Sequence, residues 1–132
     1  MMINEQNYVD KAENVIKQLK ENSKQTNKRG QESMVTTSKI RNLLSMTADI
    51  YNQILNEQTG ETLSAEMQGR IEYLRVRFLY DAGRDDQVRA FVETAGILQI
   101  LKEIQNKRVN FLLFNRYMEA LVAFHRYYGG RD

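Results

Sequence analysis

The sequence predicts an all-α protein: a compact bundle of about five to six helices around a mostly buried C-terminal helix, within 132 residues read as a single domain. Three observations carry this. Proline is absent and there are only seven glycines, and these are the two residues that interrupt helices. Apolar residues recur at spacings of three and four along most of the chain. The stretch 110–132, NFLLFNRYMEALVAFHRYYGGRD, is apolar around most of a helix circumference, so other helices must cover it on several sides.

Taken in order, 4–21 forms an amphipathic helix, with Tyr8, Ala12, Val15, Ile16 and Leu19 on one face and Lys11, Lys17 and Lys20 outside it. The segment 22–34, NSKQTNKRGQESM, is polar and without period, which predicts a solvated loop carrying Lys24, Lys28 and Arg29 and a loosely attached first helix. The second helix starts after Thr36, whose hydroxyl suits an N-cap, with Val35 and Ile40 placed as a hydrophobic staple. Its inward stripe is Ile40, Leu43, Leu44, Thr47, Tyr51, Ile54 and Leu55, continuing to Gln58.

A turn at 59–62 and a cap at Ser64 open a third helix, 65–82, with Met67, Ile71, Leu74, Phe78 and Ala82 inward. Asp85 or Asp86 caps a short fourth helix with Val88, Phe91, Val92 and Ala95 inward. Gly96 interrupts it, and Ile97, Leu98, Leu101 and Ile104 carry a fifth helix to about Asn106. In the C-terminal helix, Leu113, Phe114, Tyr117, Ala120, Leu121, Phe124 and Tyr128 share the main apolar face, widened by Phe111, Met118 and Val122. Asn115, Glu119 and Arg126 make its polar strip, and Gly129-Gly130 ends it.

Catalytic chemistry finds no foothold. There is no Cys and one His, so neither disulfides nor a Cys/His metal site can be built, and a satisfied interior or interface imidazole is the reading for His125. Gly-rich phosphate loops are absent, and the only adjacent carboxylates, Asp85 and Asp86, do not face each other on a helix. No cofactor is expected. No run approaches the roughly 20 apolar residues of a membrane span, and a signal-peptide pattern is missing, so the expected address is cytoplasmic.

Two clusters suggest binding. Lys39 and Arg41 stand in the first turn of the second helix, where cations oppose the helix dipole by about 0.3–1 kcal/mol. An anion at that terminus reverses the sign, with free N–H groups, the Thr36, Thr37 and Ser38 hydroxyls and both cations around it. On the third helix Arg70, Tyr73, Arg77, Tyr80 and Arg84 form a second stripe, away from the core face, with Arg75 on the other side of the core. Guanidinium groups alternating with phenol rings suit single-stranded nucleic acid. The plainer accounts are a suboptimal surface turn, tyrosines packed on a neighbouring helix, and an Arg77–Asp81 pair across one turn.

Three segments together resemble a known family. They are Thr36-Thr37-Ser38-Lys39-Ile40-Arg41-Asn42-Leu43, then Tyr73-Leu74-Arg75-Val76-Arg77-Phe78 with Tyr80-Asp81-Ala82-Gly83-Arg84, then 114–128 including Tyr117-Met118-Glu119-Ala120-Leu121-Val122-Ala123. In order and spacing they are similar to the small α-helical subunit of the type III-A CRISPR effector, the Csm complex. The resemblance covers roughly 35–130 and implies a five-helix bundle that is not a nuclease. It implies copies stacked head to tail as a filament beside the backbone subunits, between the large polymerase-like subunit and the distal-end subunit. It also implies contact with crRNA and target RNA, mainly the target strand's sugar–phosphate.

On that reading Lys39, Arg41, Arg75, Arg77, Arg84 and Arg126 are the RNA-binding candidates, with Arg116 and Arg131 behind them. The rival reading is a helical protein–protein adaptor whose Arg/Tyr surface meets partner subunits. A helix-turn-helix regulator, with its turn at 82–86, is more distant.

Overall fold

The computed structural model describes residues 1–26, 34–57 and 60–130. Within them the chain forms six helices: α1 (Tyr8–Thr26), α2 (Thr37–Asn56), α3 (Ala65–Arg84), α4 (Asp86–Ala95), α5 (Ile97–Glu103) and α6 (Arg108–Tyr127). The all-α bundle expected from the sequence is what forms.

Side-chain caps explain three of the helix starts. Thr36 caps α2, its Oγ1 accepting from Lys39 N at 3.4 Å, and Ser64 caps α3, accepting from Met67 N at 3.2 Å. Asp85 caps α4 through Gln87 N (3.0 Å) and Val88 N (3.3 Å). Gly96 ends that helix in the left-handed region at φ 68°, where a Cβ would also meet Met2 Sδ at 2.6 Å.

Several boundaries differ from expectation. The Asn4 side chain accepts from Gln6 N (2.9 Å) and Asn7 N (2.8 Å), closing a turn before α1 begins at Tyr8. At its other end α1 continues to Thr26, so 22–26 is helix rather than loop. Ser23 is buried and donates back to Lys20 O at 2.7 Å, a bond compatible with the helix. The remainder of the expected loop, 27–33 with Lys28 and Arg29, lies outside the described residues, as do Gln58, Thr59 and Arg131.

Nor is α1 loosely attached: it packs on α6 and α4. Tyr128 donates its hydroxyl to the Glu13 carboxylate, which pushes the phenol's pKa up, and Lys20 Nζ donates to Tyr128 O at 2.9 Å. Helix α5 stops at Glu103, short of 106, because Gln105 (φ 51°) and Asn106 (φ 62°) turn left-handed. That turn lets Leu63 N donate to Asn106 O (2.8 Å) and Arg108 N donate to Glu61 O (2.9 Å), tying the two loops together.

Helix α6 is the centre. Phe111, Phe114, Tyr117, Met118 and Leu121 are fully enclosed, and Phe78 of α3 meets Phe114 edge-on at 6.4 Å. The buried face is rotated from the expected one: Leu113, Ala120, Phe124 and Tyr128 are only half-buried. Asn115, expected on the polar strip, is 3% exposed and donates to Glu119 Oε1 at 3.3 Å. Tyr117 donates its hydroxyl to Ala95 O at 2.8 Å, and burial raises its pKa to about 12.

His125 locks the far end. It is fully buried, with Nε2 2.7 Å from Val35 O and Nδ1 3.1 Å from Thr37 Oγ1. The Val35 carbonyl can only accept, so Nε2 carries a proton toward it, and the Thr37 hydroxyl lies between Nδ1 and Gly130 O (3.4 Å). The interior imidazole expected from the sequence is present. Gly130 N donates to His125 O at 2.8 Å, and a Cβ at Gly130 would fall 2.0 Å from His125 Cε1.

Two substitutions test this packing. Tyr117→Phe is expected to lower stability by about 1–2 kcal/mol by removing one buried hydrogen bond. Gly130→Ala is expected to lower it by about 1–3 kcal/mol by pushing on an enclosed ring. Urea denaturation monitored by circular dichroism measures both, and an unchanged midpoint for Gly130→Ala would show that the C-terminus does not close over His125.

Candidate nucleic-acid interface

The sequence-predicted cations are set by three helix termini. His125 fixes where α2 begins, and Lys39 emerges two residues after the buried Thr37. From there Lys39 Nζ reaches Asp85 Oδ2 at 2.7 Å and Gln87 Oε1 at 3.2 Å, across to the junction of α3 and α4. Asp85 therefore caps α4 with Oδ1 and holds Lys39 with Oδ2. The Lys39 hydrogen bond is the largest influence on this carboxyl and, with the cap, holds its pKa below the ordinary 3.8 although burial opposes it.

Arg84, the last residue of α3, lies beside this pair. Its side chain is 65% exposed, its Nε is 3.5 Å from Asp81 Oδ1, and its guanidinium sits 5.4 Å from the Tyr80 ring centroid. Lys39, Asn42, Asp81, Arg84 and Asp85 line a cleft of about 110 Å³. The fold thus brings together Lys39 and Arg84, which the sequence places far apart. It also brings two carboxylates, so two cations face two anions and the cleft has no net charge.

The other candidates go elsewhere. Arg41 is exposed, but two residues along a helix is about 200°, so it leaves α2 on the side away from Lys39. The anion cradle expected at the start of α2 is therefore not assembled. The Thr36 hydroxyl is used as a cap, the Thr37 hydroxyl is buried on His125, and Lys39 is turned to Asp85.

Arg75 and Arg77 separate for the same geometric reason. Arg77 faces a groove of about 560 Å³ between α2 and α3, with Met46, Ile50, Tyr73 and Leu74. Its Nε is buried without a hydrogen-bond partner among the described residues, and the expected pair with Asp81 is replaced by Asp81–Arg84. Arg75 contacts Glu72 Oε2 at 3.5 Å on the side of α3 that faces α5. Arg126 is exposed in the last turn of α6, next to His125 and so at the end of the bundle where α2 starts.

Sequence reasoning recognised Asp85 as a cap but missed it as the partner of Lys39. No local pattern signals an ion pair between residues so far apart in the chain. Among the described residues no three His, Cys, Asp or Glu side chains gather as a metal site, and no helix is long and apolar enough to cross a membrane.

The fold and this surface define a small helical bundle with arginines distributed over several faces rather than gathered in a catalytic pocket. The family model for Csm2 of type III-A matches residues 12–131. The CRISPR system Cms protein Csm2 of Streptococcus thermophilus is 40% identical over 131 residues, 99% of this chain and 98% of the relative. Its namesake from Mycobacterium tuberculosis is 40% identical over 98 residues, 74% of this chain and 78% of the relative. That from Enterococcus italicus is 34% identical over 119 residues, 85% and 84% of the two chains. The chain belongs to the Csm2 type III-A family, the small subunit of the Csm complex that its motifs resemble.

The Asp85–Lys39 pair has a pH signature. Because the folded carboxyl has a lowered pKa, its stabilisation is complete above the unfolded value and disappears as pH falls through the folded one. Lys39 is 40% exposed, so screening limits the pair to less than about 1 kcal/mol. Asp85→Asn, which keeps the cap, is expected to cost less than about 1 kcal/mol at pH 7 and less again near pH 3. Asp85→Ala is expected to cost about 1 kcal/mol more because it also removes the cap. Urea midpoints at the two pH values check both, and an equal cost of Asp85→Asn at pH 7 and 3 would contradict the pairing.

Proposed function

We propose that the chain is the non-catalytic small subunit of a type III-A RNA-guided interference complex, and that it contacts target RNA, paired with crRNA, through the RNA backbone. Membership of the Csm2 family supports the assignment to the complex. The observation that carries the RNA reading is the juxtaposition of Lys39 and Arg84 in one cleft, with the Arg84 guanidinium held over Tyr80. Arg41 and Arg126 add charge near the end where α2 begins, and Arg77 continues the Arg84 line two turns, roughly 10 Å, along α3. Arg75, on the opposite side of α3, serves a second stretch of backbone.

The cleft is neutral while its pairs are intact. A phosphate therefore binds by exchange: it replaces Asp85 at Lys39 or Asp81 at Arg84, and the released carboxylate returns to water. Such interactions are weak singly, sensitive to salt, and indifferent to base sequence. They suit a subunit that positions RNA while base pairing with the crRNA selects it. In the same reading copies stack head to tail beside the backbone subunits, a heterologous interface that need not close on itself. One end of the stack meets the large polymerase-like subunit and the other the distal-end subunit.

Reconstituted complexes carrying Lys39→Ala with Arg84→Ala test the reading by salt-titrated capture of target RNA. The slope of log affinity against log salt is expected to fall by about 0.7 for each phosphate that is no longer neutralised on a single strand. An unchanged slope would remove both residues from the interface. Absence of the subunit from the assembly on gel filtration would favour the adaptor reading, for which the exposed apolar residues of α3 speak.

A further inference from the structure

We infer that the outer face of α3 is a docking seam for an α-helix of another protein chain that carries carboxylates along one flank. The inference goes beyond the RNA reading and shares Tyr80, Arg77 and Arg84 with it, so RNA and a partner helix compete for that line. Four of the large apolar side chains left exposed lie on this helix: Tyr73 at 63%, Val76 at 54%, Leu79 at 48% and Tyr80 at 62%.

Their arrangement is regular. Gly69, Tyr73, Val76, Tyr80 and Gly83 follow one another at spacings of four, three, four and three, the a/d repeat that keeps one line of a helix against a partner helix. All five are exposed, and a Cβ at either glycine would meet no atom within 4 Å. The seam therefore alternates large rings with flat places where a partner can press in. Nothing in the chain's own core needs this pattern, because the buried stripe of α3 runs through Met67, Ile71, Leu74, Phe78 and Ala82.

The edges of the seam define the occupant. Arg70, Arg77 and Arg84, seven residues apart, all fall on the flank next to the tyrosines, at the heptad position that pairs with charges of a partner helix. On the other edge stand Glu72 and Leu79.

A second α3 fits poorly. Antiparallel pairing of two α3 helices would set tyrosines on Val76 and Gly83 and fill space well, but it would place Arg77 against Arg77 and Arg70 against Arg84. Parallel pairing would set Tyr on Tyr and Gly on Gly, crowding some layers and leaving others empty. A foreign helix with bulky side chains over the glycines, small ones against the rings, and Glu or Asp along the arginine edge meets both requirements.

The test uses the full chain and two synthetic helical peptides of about three heptads, identical in a Leu/Ala seam and carrying either glutamates or lysines along one flank. Titration is expected to show the glutamate peptide binding at least roughly tenfold tighter than the lysine peptide, a difference that shrinks as salt rises. Val76→Glu, at an exposed position and with its fold checked by circular dichroism, is expected to abolish that binding. Equal affinities, or binding untouched by Val76→Glu, would overturn the inference. A dimer of the free chain that Val76→Glu dissolves would make a second copy the occupant and overturn it too. So would an RNA oligonucleotide whose binding Val76→Glu abolishes. Because Val76 lies outside the Lys39/Arg84 cleft, failure here and failure of the RNA reading are separate results.

Discussion

Helix α6 must bury one broad face, and the positions of the other helices follow from that requirement. Twenty residues make a rod about 30 Å long, and five of its large side chains have no route to solvent. Helices α1 and α2 lie along it, and α3 reaches it through Phe78. At its C-terminal end the core becomes polar only where every group is matched: His125 between Val35 O and Thr37 Oγ1, with Gly130 folded over the ring. This arrangement fixes the first turn of α2 and hence the direction in which Lys39 leaves it.

From that end the positioning passes outward. Thr36 starts α2, Lys39 crosses to Asp85, and Asp85 sets the first turn of α4 directly behind the last residue of α3. Arg84 and Lys39 are thereby held at one corner, each beside a carboxylate. A cation held in this way gives up little conformational freedom when a phosphate replaces its partner, but the exchange forfeits an existing ion pair. In the proposed role, affinity comes from many modest interactions repeated along an assembly, and salt is the variable that exposes it.

Much of this was legible because it is local. The caps at Thr36, Ser64 and Asp85, the break at Gly96 and the inward stripes of α3 and α4 depend on residues within a few positions of one another, and each stands where the sequence predicts. The resemblance carried by the three motifs agrees with the family to which the chain belongs. What was not legible depends on tertiary context. The face of α6 was misjudged because a helix apolar almost all round gives periodicity little to choose between, so Asn115 went to the wrong side. The end of α5 is set by left-handed residues locked through a bridge to Leu63. The partner of Lys39 lies at a helix junction that no local pattern connects to α2, which is why an open anion cradle was expected where an ion pair stands.

Hydrogen exchange of the assembled complex, with and without target RNA, tests the central claim most directly. The account predicts that amides in 36–43 and 80–88, at the corner of Lys39 and Arg84, gain protection when target is captured, while those of α1 exchange as before. Full capture of target with no change in either segment would contradict it.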